Sequence, residues 1–185
     1  KGYVRAPDGS LDWDEPALAA DLAGGAAPRT IYGFLAAGLT LRRAAGLPGL
    51  TLLSCDNLAD NGRQLAGLMT AYLDRTDAVL GSWFAQECRC PSSMVDRIVP
   101  AMTDETRAWV AGHIGLADDG AILTEAFTQW VIEDDFAGPR PRWEAAGVQF
   151  VADVRAHEAA KLRMLNGAHS ALAYLGLERG HEFVH

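Results

Sequence analysis

The sequence predicts a mixed α/β portion over residues 1–152, followed by an α-helical portion over residues 153–185. In the first portion, helical stretches alternate with short apolar runs bounded by glycine, proline or polar residues, a pattern typical of an α/β domain. In the second, apolar and polar residues recur with helical spacing from Val151 to Tyr174. Hydrophobic residues make up 49% of the 185, which is enough for a substantial core.

Five helices are predicted in the α/β portion from local start and stop signals. They span Asp14–Leu22, Thr30–Ala45, Gly62–Leu73, Asp77–Cys88 and Asp104–Gly115. Asp12 or Asp14 is expected to cap the first of these helices, with Pro16 in its first turn, and Thr103 is expected to cap the last. Gly46 stops the second helix.

Strands are predicted where short apolar runs lie between helix breakers. These runs are Leu50–Leu53, Met94–Val99, and residues 122–127, 128–134 and 147–153. Polar residues, including Asp56 and Asn57, follow the first run, and ligands bind beyond the carboxyl ends of strands in open α/β sheets. Asn57 is therefore a candidate ligand-binding residue. The alternative is that Asp56 or Asn57 caps the helix that begins near Gly62.

Charge and cysteine content indicate which partners and which cellular compartment to expect. The net charge is −8, which does not favour a nucleic acid or an anionic membrane as partner. The three cysteines form neither a disulfide framework nor a pair of metal-binding motifs, so we expect a reducing, cytoplasmic compartment and no metal bound by cysteines. No apolar run approaches the roughly 20 residues that cross a bilayer. The chain starts without Met, so we expect the central part of a longer protein.

An acidic run, Glu133 to Asp135, has two interpretations. Three successive carboxylates suggest a metal site, but no histidine is near them in sequence and their spacing matches no known metal loop. We therefore predict that this run is a solvated edge of the protein.

Lys161 is the most unusual residue of the helical portion. Apart from Lys1 it is the only lysine, against fourteen arginines, and unlike arginine a lysine can give up its proton in a protein. Helical spacing places Glu158, Lys161 and His169 on one side. Asn166 lies about 140° away from Lys161 on an ideal helix and joins them only if the chain bends near Gly167. The alternative is an ordinary surface pair between Lys161 and Glu158.

Four segments of the chain resemble the polyol-specific long-chain dehydrogenase and reductase family, which includes mannitol 2-dehydrogenase and fructuronate reductase. These segments are SCDNLADNG at 54–62, PSSMVDRIVP at 91–100, EAFTQWVIEDDF at 125–136 and KLRMLNGAHSALAYLG at 161–176. They occur in the family's order and extend over nearly the whole chain. The resemblance implies the end of a Rossmann-type nucleotide-binding domain at 1–152 and the beginning of a helical catalytic domain at 153–185.

The resemblance also implies roles for individual residues. Lys161 resembles the family's general base, and Asn57 and Asn166 resemble two amides that hold the reacting oxygen. A base for the hydroxyl proton and donors for the developing alkoxide are what the oxidation of a secondary alcohol requires.

Three more residues receive roles by the same resemblance. His169 is expected to orient the substrate and Asp96 to bind it, and Glu158 matches a glutamate near the family's lysine. That Glu158 relays a proton from Lys161 toward solvent is a hypothesis from the chemistry of the pair. For Glu158 the alternative is a plain ion pair with Lys161.

The resemblance implies NAD as cofactor, with NADP possible, and a polyol or its ketose as substrate. The sequence contains no Gly-x-Gly-x-x-Gly loop, so the cofactor-binding residues are unknown. Within the family the alternative is a fructuronate or tagaturonate reductase. From another class, the alternative is a truncated chain without catalytic activity of its own.

Overall fold

The computed structural model describes residues 2–24 and 27–181. Its α-helices are α1 (Pro16–Ala23), α2 (Ile31–Ala44), α3 (Asn61–Thr76), α4 (Ala78–Glu87), α5 (Asp104–Ile114), α6 (Arg155–Ala160) and α7 (Gly167–Glu178). A π-helical turn, Lys161–Asn166, joins α6 to α7, and a short 3-10 helix spans Trp143–Ala146. Within the described ranges, none of these helices is long and apolar enough to cross a membrane.

Local capping explains where three of the helices begin. The Thr30 hydroxyl accepts the N–H of Gly33 at 3.2 Å at the start of α2. The carboxylate of Asp77 does the same for α4, and the hydroxyl of Thr103 for α5. Each cap satisfies a backbone N–H that has no partner inside its helix. These helix starts are therefore set within a few residues of sequence.

Helix α1 begins at Pro16 and not at the predicted Asp14, and it has a different cap. The carboxylate of Glu15 accepts the N–H of Ala17 at 2.6 Å, so Glu15 is the N-cap and the predicted caps Asp12 and Asp14 are wrong. The side chain of Asp12 instead accepts the N–H of Asp14 at 3.2 Å. Asp12 thus stabilises the turn before the helix.

The main hydrophobic core lies among helices α1 to α4. Buried side chains from all four helices form one cluster, which includes Leu18, Tyr32, Leu39, Met69, Leu73, Leu80 and Phe84. Burial of this apolar surface is the main favourable contribution to folding.

A three-stranded sheet, in the order β1-β2-β3, lies beside the helices. Its strands are β1 (Ser93–Asp96), β2 (Gln129–Glu133) and β3 (Gln149–Val151). Strands β1 and β2 are antiparallel, with Val95 opposite Trp130, whereas β2 and β3 are parallel. A second small core, formed by Met94, Val131 and Val154, connects the sheet to the start of the C-terminal helix.

Two of the predicted strands are wrong. In Leu50–Leu53, Thr51 forms a single parallel bridge with Arg89, and this segment does not join the three-stranded sheet. Residues 122–127 form no strand, although Glu125 bonds to the backbone of Ile98. An apolar run becomes a strand only where a partner strand supplies a ladder of hydrogen bonds.

Asp21 links the end of α1 to the start of α2. Its carboxylate accepts the N–H of Arg29 at 2.7 Å, and the N–H and hydroxyl of Thr30 at 2.9 and 2.6 Å. Burial raises the pKa of Asp21, but these hydrogen bonds outweigh it, so the pKa is lowered overall. A lowered pKa in the folded state stabilises the protein above the pKa of the unfolded chain, and this contribution is lost as the pH falls through the folded pKa.

Asp21→Asn is therefore expected to lower the free energy of unfolding by about 1 to 2 kcal/mol at pH 7, because an amide cannot accept all three bonds. The difference from the wild type should shrink as the pH falls below about 4. Urea unfolding at pH 7 and pH 3 measures both effects. Asp119→Asn, at an exposed aspartate, is the matched control. A pH-independent difference would show that the Asp21 charge does not stabilise the fold.

Candidate active site

A cavity of about 360 Å³ lies where three parts of the chain meet. Its walls are the loop at residues 56–59 before α3, strand β1, and the helix that runs from α6 into the π-helical turn. The polar side chains on these walls include Asn57, Glu158, Lys161 and Asn166. The loop and the helix are about a hundred residues apart in sequence, so the tertiary fold is what brings them together.

Three oxygens surround the side-chain nitrogen of Lys161. Its Nζ donates to the carbonyl oxygen of Val95 at 2.5 Å and to Asn57 Oδ1 at 3.2 Å. Asp96 Oδ1 lies 3.7 Å away, and both side chains of this ion pair are largely buried, with 14% and 13% exposed. An ammonium group has three N–H donors and no acceptor, so this set of oxygens suits the protonated lysine and fixes its position.

The contact with Lys161 also orients the amide of Asn57. Because Oδ1 faces the ammonium group, Nδ2 remains to donate to a ligand in the cavity. The alternative role, capping of the next helix, is not what the structure shows. The N-cap of α3 is Asp60, and α3 has no side-chain capping bond.

Asn166 reaches the cavity through the π-helical turn. In such a turn a hydrogen bond spans five residues and not four, and the N–H of Gly167 indeed donates to the carbonyl of Leu162. The turn therefore contains one extra residue, which brings Asn166 back toward the side of Lys161, and both line the cavity. Gly167 itself is helical, with φ of −64° and ψ of −42°, so the departure from regular helical spacing that the position of Asn166 required lies in the π-helical turn and not at the glycine.

Glu158 lies one helical turn before Lys161 and lines the same cavity. Its Oε1 accepts the backbone N–H of Asp60 at 3.0 Å. Burial raises the pKa of the Glu158 carboxyl group, and the hydrogen bond from Asp60 partly opposes that effect. Among the described residues Lys161 pairs with Asp96, so the alternative of a plain ion pair between Glu158 and Lys161 is wrong.

Asn61, the first residue of α3, was not among the predicted site residues, yet it joins two walls of the cavity. Its side chain is fully buried. Nδ2 donates to the carbonyls of Asp56 and Ser93, both at 2.9 Å, and Oδ1 accepts the N–H of Ser93 at 2.9 Å. These bonds hold the loop that carries Asn57 against the strand that carries Val95.

Gly62 allows these two walls to approach closely. A Cβ atom at this position would lie 2.4 Å from the backbone carbonyl oxygens of Cys90 and Pro91, which is far inside van der Waals contact. Any other residue would push α3 away from the segment that leads into β1. The Asn61–Gly62 pair at a helix start is the sequence signal that could have revealed this scaffold.

Two sequence models of one protein family match most of the chain. Residues 12–145 match the sequence model of the mannitol dehydrogenase Rossmann domain, and residues 153–185 match that of the mannitol dehydrogenase C-terminal domain. The chain belongs to the mannitol dehydrogenase family.

Named members of the mannitol dehydrogenase family are similar to the whole chain. It is 44% identical to D-mannonate oxidoreductase of Escherichia coli (strain K12) and 47% identical to D-arabinitol 4-dehydrogenase of Ralstonia nicotianae, over 185 residues in each case. Each match covers 100% of this chain, but 38% of the first protein and 39% of the second. The chain thus spans well under half the length of these relatives.

Two solved structures share the fold. D-sorbitol dehydrogenase in a substrate-free form matches 95% of this chain and 37% of its own, with a TM-score of 0.87 and 38% identity. The ternary complex of Pseudomonas fluorescens mannitol 2-dehydrogenase with NAD and D-mannitol matches 97% of this chain and 37% of its own, with a TM-score of 0.84 and 40% identity. The predicted fold class, the end of a Rossmann-type domain followed by the start of a helical domain, is confirmed.

Two further predicted site residues, Asp96 and His169, do not line the cavity. Asp96, at the end of β1, contacts Lys161. His169 lies on α7, is exposed, and does not line the cavity that the described residues form. The extra residue in the π-helical turn changes the direction in which later side chains point, so the predicted row of Glu158, Lys161 and His169 is broken.

The acidic run at the end of β2 consists of residues paired with arginines. Glu133 is buried and accepts from Arg63 at 2.7 Å and from the N–H of Ser92 at 3.0 Å. The other two pairs are Asp134 with Arg140 and Asp135 with Arg89. The predicted solvated edge is therefore wrong for Glu133. Arg63 lies 70 residues away in sequence, so the local pattern around Glu133 does not reveal this contact.

Proposed function

We propose that the full-length protein containing this chain is an NAD(P)-dependent oxidoreductase that interconverts a secondary alcohol of a polyol and the corresponding ketose by hydride transfer. The observation that carries the proposal is the contact of Lys161 with Asn57 in a cavity that Asn166 also lines. The similar mannitol 2-dehydrogenase, which binds NAD and D-mannitol in its ternary complex, supports the same assignment.

Lys161 is the proposed general acid and base. In oxidation its neutral amine accepts the hydroxyl proton, and in reduction its ammonium returns a proton to the carbonyl oxygen. The amides of Asn57 and Asn166 donate hydrogen bonds to that oxygen as it gains negative charge. One donor of this kind typically contributes about 3 to 4 kcal/mol to the stability of a transition state.

Three other residues have proposed roles in proton transfer and in substrate binding. Glu158 lines the cavity and passes the proton from Lys161 toward solvent. Asp96 stabilises the ammonium form of Lys161 from the side of β1 and remains the proposed substrate-binding carboxylate. His169 remains the proposed substrate-orienting group.

NAD is the proposed cofactor, with NADP as the alternative. The chain has no Gly-x-Gly-x-x-Gly loop, so it does not supply the usual phosphate-binding element of a dinucleotide site. Its donor set suits an alcohol oxygen instead, because an amine and two amides converge on one cavity. When bound, the nicotinamide accepts the hydride from the alcohol carbon. The residues of this chain hold the oxygen and move the proton.

The proposed domain boundary near residue 152 places the cavity between two domains. The loop at 56–59 and β1 belong to the portion at 1–152, whereas the helix with Lys161 belongs to the portion at 153–185. Ligand sites commonly form between domains. A cytoplasmic setting remains part of the proposal, supported by three cysteines that are all free thiols.

The contacts of Arg155 are relevant to whether the substrate is a polyol or a sugar acid. It lines the cavity, but its guanidinium binds Asp153, with Nε at 3.0 and 2.8 Å from the two carboxylate oxygens. An arginine paired in this way must give up or share its contact with Asp153 to hold a substrate carboxylate. This favours a neutral polyol. The similarity to D-mannonate oxidoreductase keeps a fructuronate or tagaturonate reductase as the second candidate.

The test is a substrate screen of the full-length protein with mannitol, arabinitol and fructuronate, each with NAD and with NADP. We expect kcat/KM to be highest for a polyol with NAD. A preference for fructuronate would establish the second candidate. The absence of turnover with every pair would contradict the proposed function.

Activity is expected to survive exhaustive dialysis against EDTA, because amides and an amine, and not a metal ion, hold the reacting oxygen. The rate should stay at the level of a mock-dialysed control. Loss of activity that added Zn²⁺ restores would contradict this prediction and place a metal in the mechanism.

A chain of this length without catalytic activity is the alternative from another class. Fluorescence titration of NADH into the 185-residue chain and into the full-length protein separates the two. We expect weak binding to the chain and tight binding to the full-length protein, because the phosphate-binding loop is not in this sequence.

A further inference from the structure

Asp60 combines an uncommon backbone conformation with a position beside the cavity. Its φ of 51° and ψ of 37° lie in the left-handed region, which few residues other than glycine adopt and which aspartate tolerates. Among the described residues other than glycine, only Val4 also has a positive φ. Asp60 is the N-cap of α3, yet its side chain makes no capping bond to the helix.

The left-handed conformation directs the backbone N–H of Asp60 at Glu158. This N–H donates to Glu158 Oε1 at 3.0 Å across 98 residues of sequence. The bond connects the loop before α3 to the helix that carries Lys161. A carboxylate on a helix has several rotamers, and a fixed donor selects one of them.

Two ion pairs that share Arg63 hold the side chain of Asp60 in place. Arg63 Nη1 donates to Asp60 Oδ1 at 2.5 Å, and Arg63 Nη2 donates to Glu133 Oε1 at 2.7 Å. The buried Glu133 in turn accepts the N–H of Ser92 at 3.0 Å, just before β1. An uncommon backbone conformation persists where its surroundings determine it from several sides, and such conformations cluster at functional sites.

We propose that Asp60 is a positioning residue for Glu158 and that it acts through its left-handed backbone. The inference rests on the proposed function, in which Glu158 receives the proton from Lys161. The N–H of Asp60 holds the carboxylate at the cavity wall and favours its ionised form, which is the form that accepts a proton. Without this donor the carboxylate turns elsewhere or becomes protonated at a higher pH.

The other charges around Glu158 act on its pKa in both directions. Burial raises this pKa most, the negative charges of Asp60 and Glu133 raise it further, and Arg63 lowers it. The remaining charged groups of the cavity wall are Asp56, Arg155 and Lys161. Loss of the Asp60 hydrogen bond removes one of the few contributions that favour the ionised carboxylate.

The test compares Asp60→Ala with Asp60→Gly in the full-length protein. Both variants remove the carboxylate, but only glycine adopts the left-handed conformation without steric cost. Both variants lose the negative charge of Asp60, so we expect the acidic limb of the pH profile of kcat to lie about one pH unit higher in Asp60→Ala than in Asp60→Gly, because only Asp60→Ala also loses the hydrogen bond. Below that limb, kcat of Asp60→Ala should be about tenfold lower than that of Asp60→Gly, and the KM for NAD should be the same in both variants.

A ¹³C NMR titration of the Glu158 carboxyl group in the same variants gives its pKa without any turnover. Equal pKa values of Glu158 in Asp60→Ala and Asp60→Gly would overturn the inference. A higher Glu158 pKa in Asp60→Ala than in Asp60→Gly in the NMR titration, with identical rate profiles of the two variants, would support the inference and reject the relay role of Glu158. If Asp60→Ala does not fold, Asp60→Ser against Asp60→Asn makes the same comparison, since asparagine tolerates the left-handed region and serine does so less.

Discussion

Lys161→Ala in the full-length protein is expected to lower kcat by about 10²- to 10⁴-fold, the usual contribution of a general acid or base. The dissociation constant of NADH should stay nearly unchanged, because Lys161 is proposed to contact the substrate oxygen and not the nucleotide. Steady-state kinetics and a fluorescence titration measure the two quantities. Primary amines added to the solution should restore part of the rate.

Two variants serve as controls for this result. Lys161→Arg keeps the positive charge but cannot release a proton at neutral pH, so it should be nearly as slow as Lys161→Ala. Arg163→Ala removes a cation from the same π-helical turn at an exposed position outside the cavity lining, and it should retain the wild-type rate. Near-wild-type turnover of Lys161→Ala across the pH range would reject the assignment of the base.

Asn57→Ala and Asn166→Ala are each expected to lower kcat by about 10²- to 10³-fold, with a smaller effect on KM, if each amide acts as an oxyanion-hole donor. The double variant should lose less than the product of the two effects. The reason is that one misplaced oxygen already forfeits much of what the other amide contributes. A double-mutant cycle of kcat and kcat/KM measures this coupling.

The structure adds a second reason to expect coupling, since Asn57 also accepts a hydrogen bond from Lys161. Asn57→Ala therefore removes a contact of the base as well as a donor, and it should be the slower of the two single variants. Unfolding midpoints of all three variants exclude a general loss of stability. Strict additivity, or a single variant with unaltered turnover, would show that the two amides do not act on one oxygen.

The sequence predicted the residue types of the site better than their arrangement. Asn57, Glu158, Lys161 and Asn166 were all candidates, and all four line one cavity. The partners of these residues were not predicted. Lys161 pairs with Asp96, and Glu158 bonds to the backbone of a residue that no local pattern marked. Partners this far apart in sequence leave no trace in spacing or periodicity.

What the sequence by itself determined is the class of the fold and the starts of helices such as α2, α4 and α5. Each of those starts depends on a cap within three residues, and short-range hydrogen bonds are encoded locally. The tertiary structure alone decided that Leu50–Leu53 makes a single bridge and that Asn166 faces the cavity. A strand needs a ladder of partners from elsewhere in the chain, and the π-helical turn replaces the regular helical spacing from which the side of Asn166 was predicted.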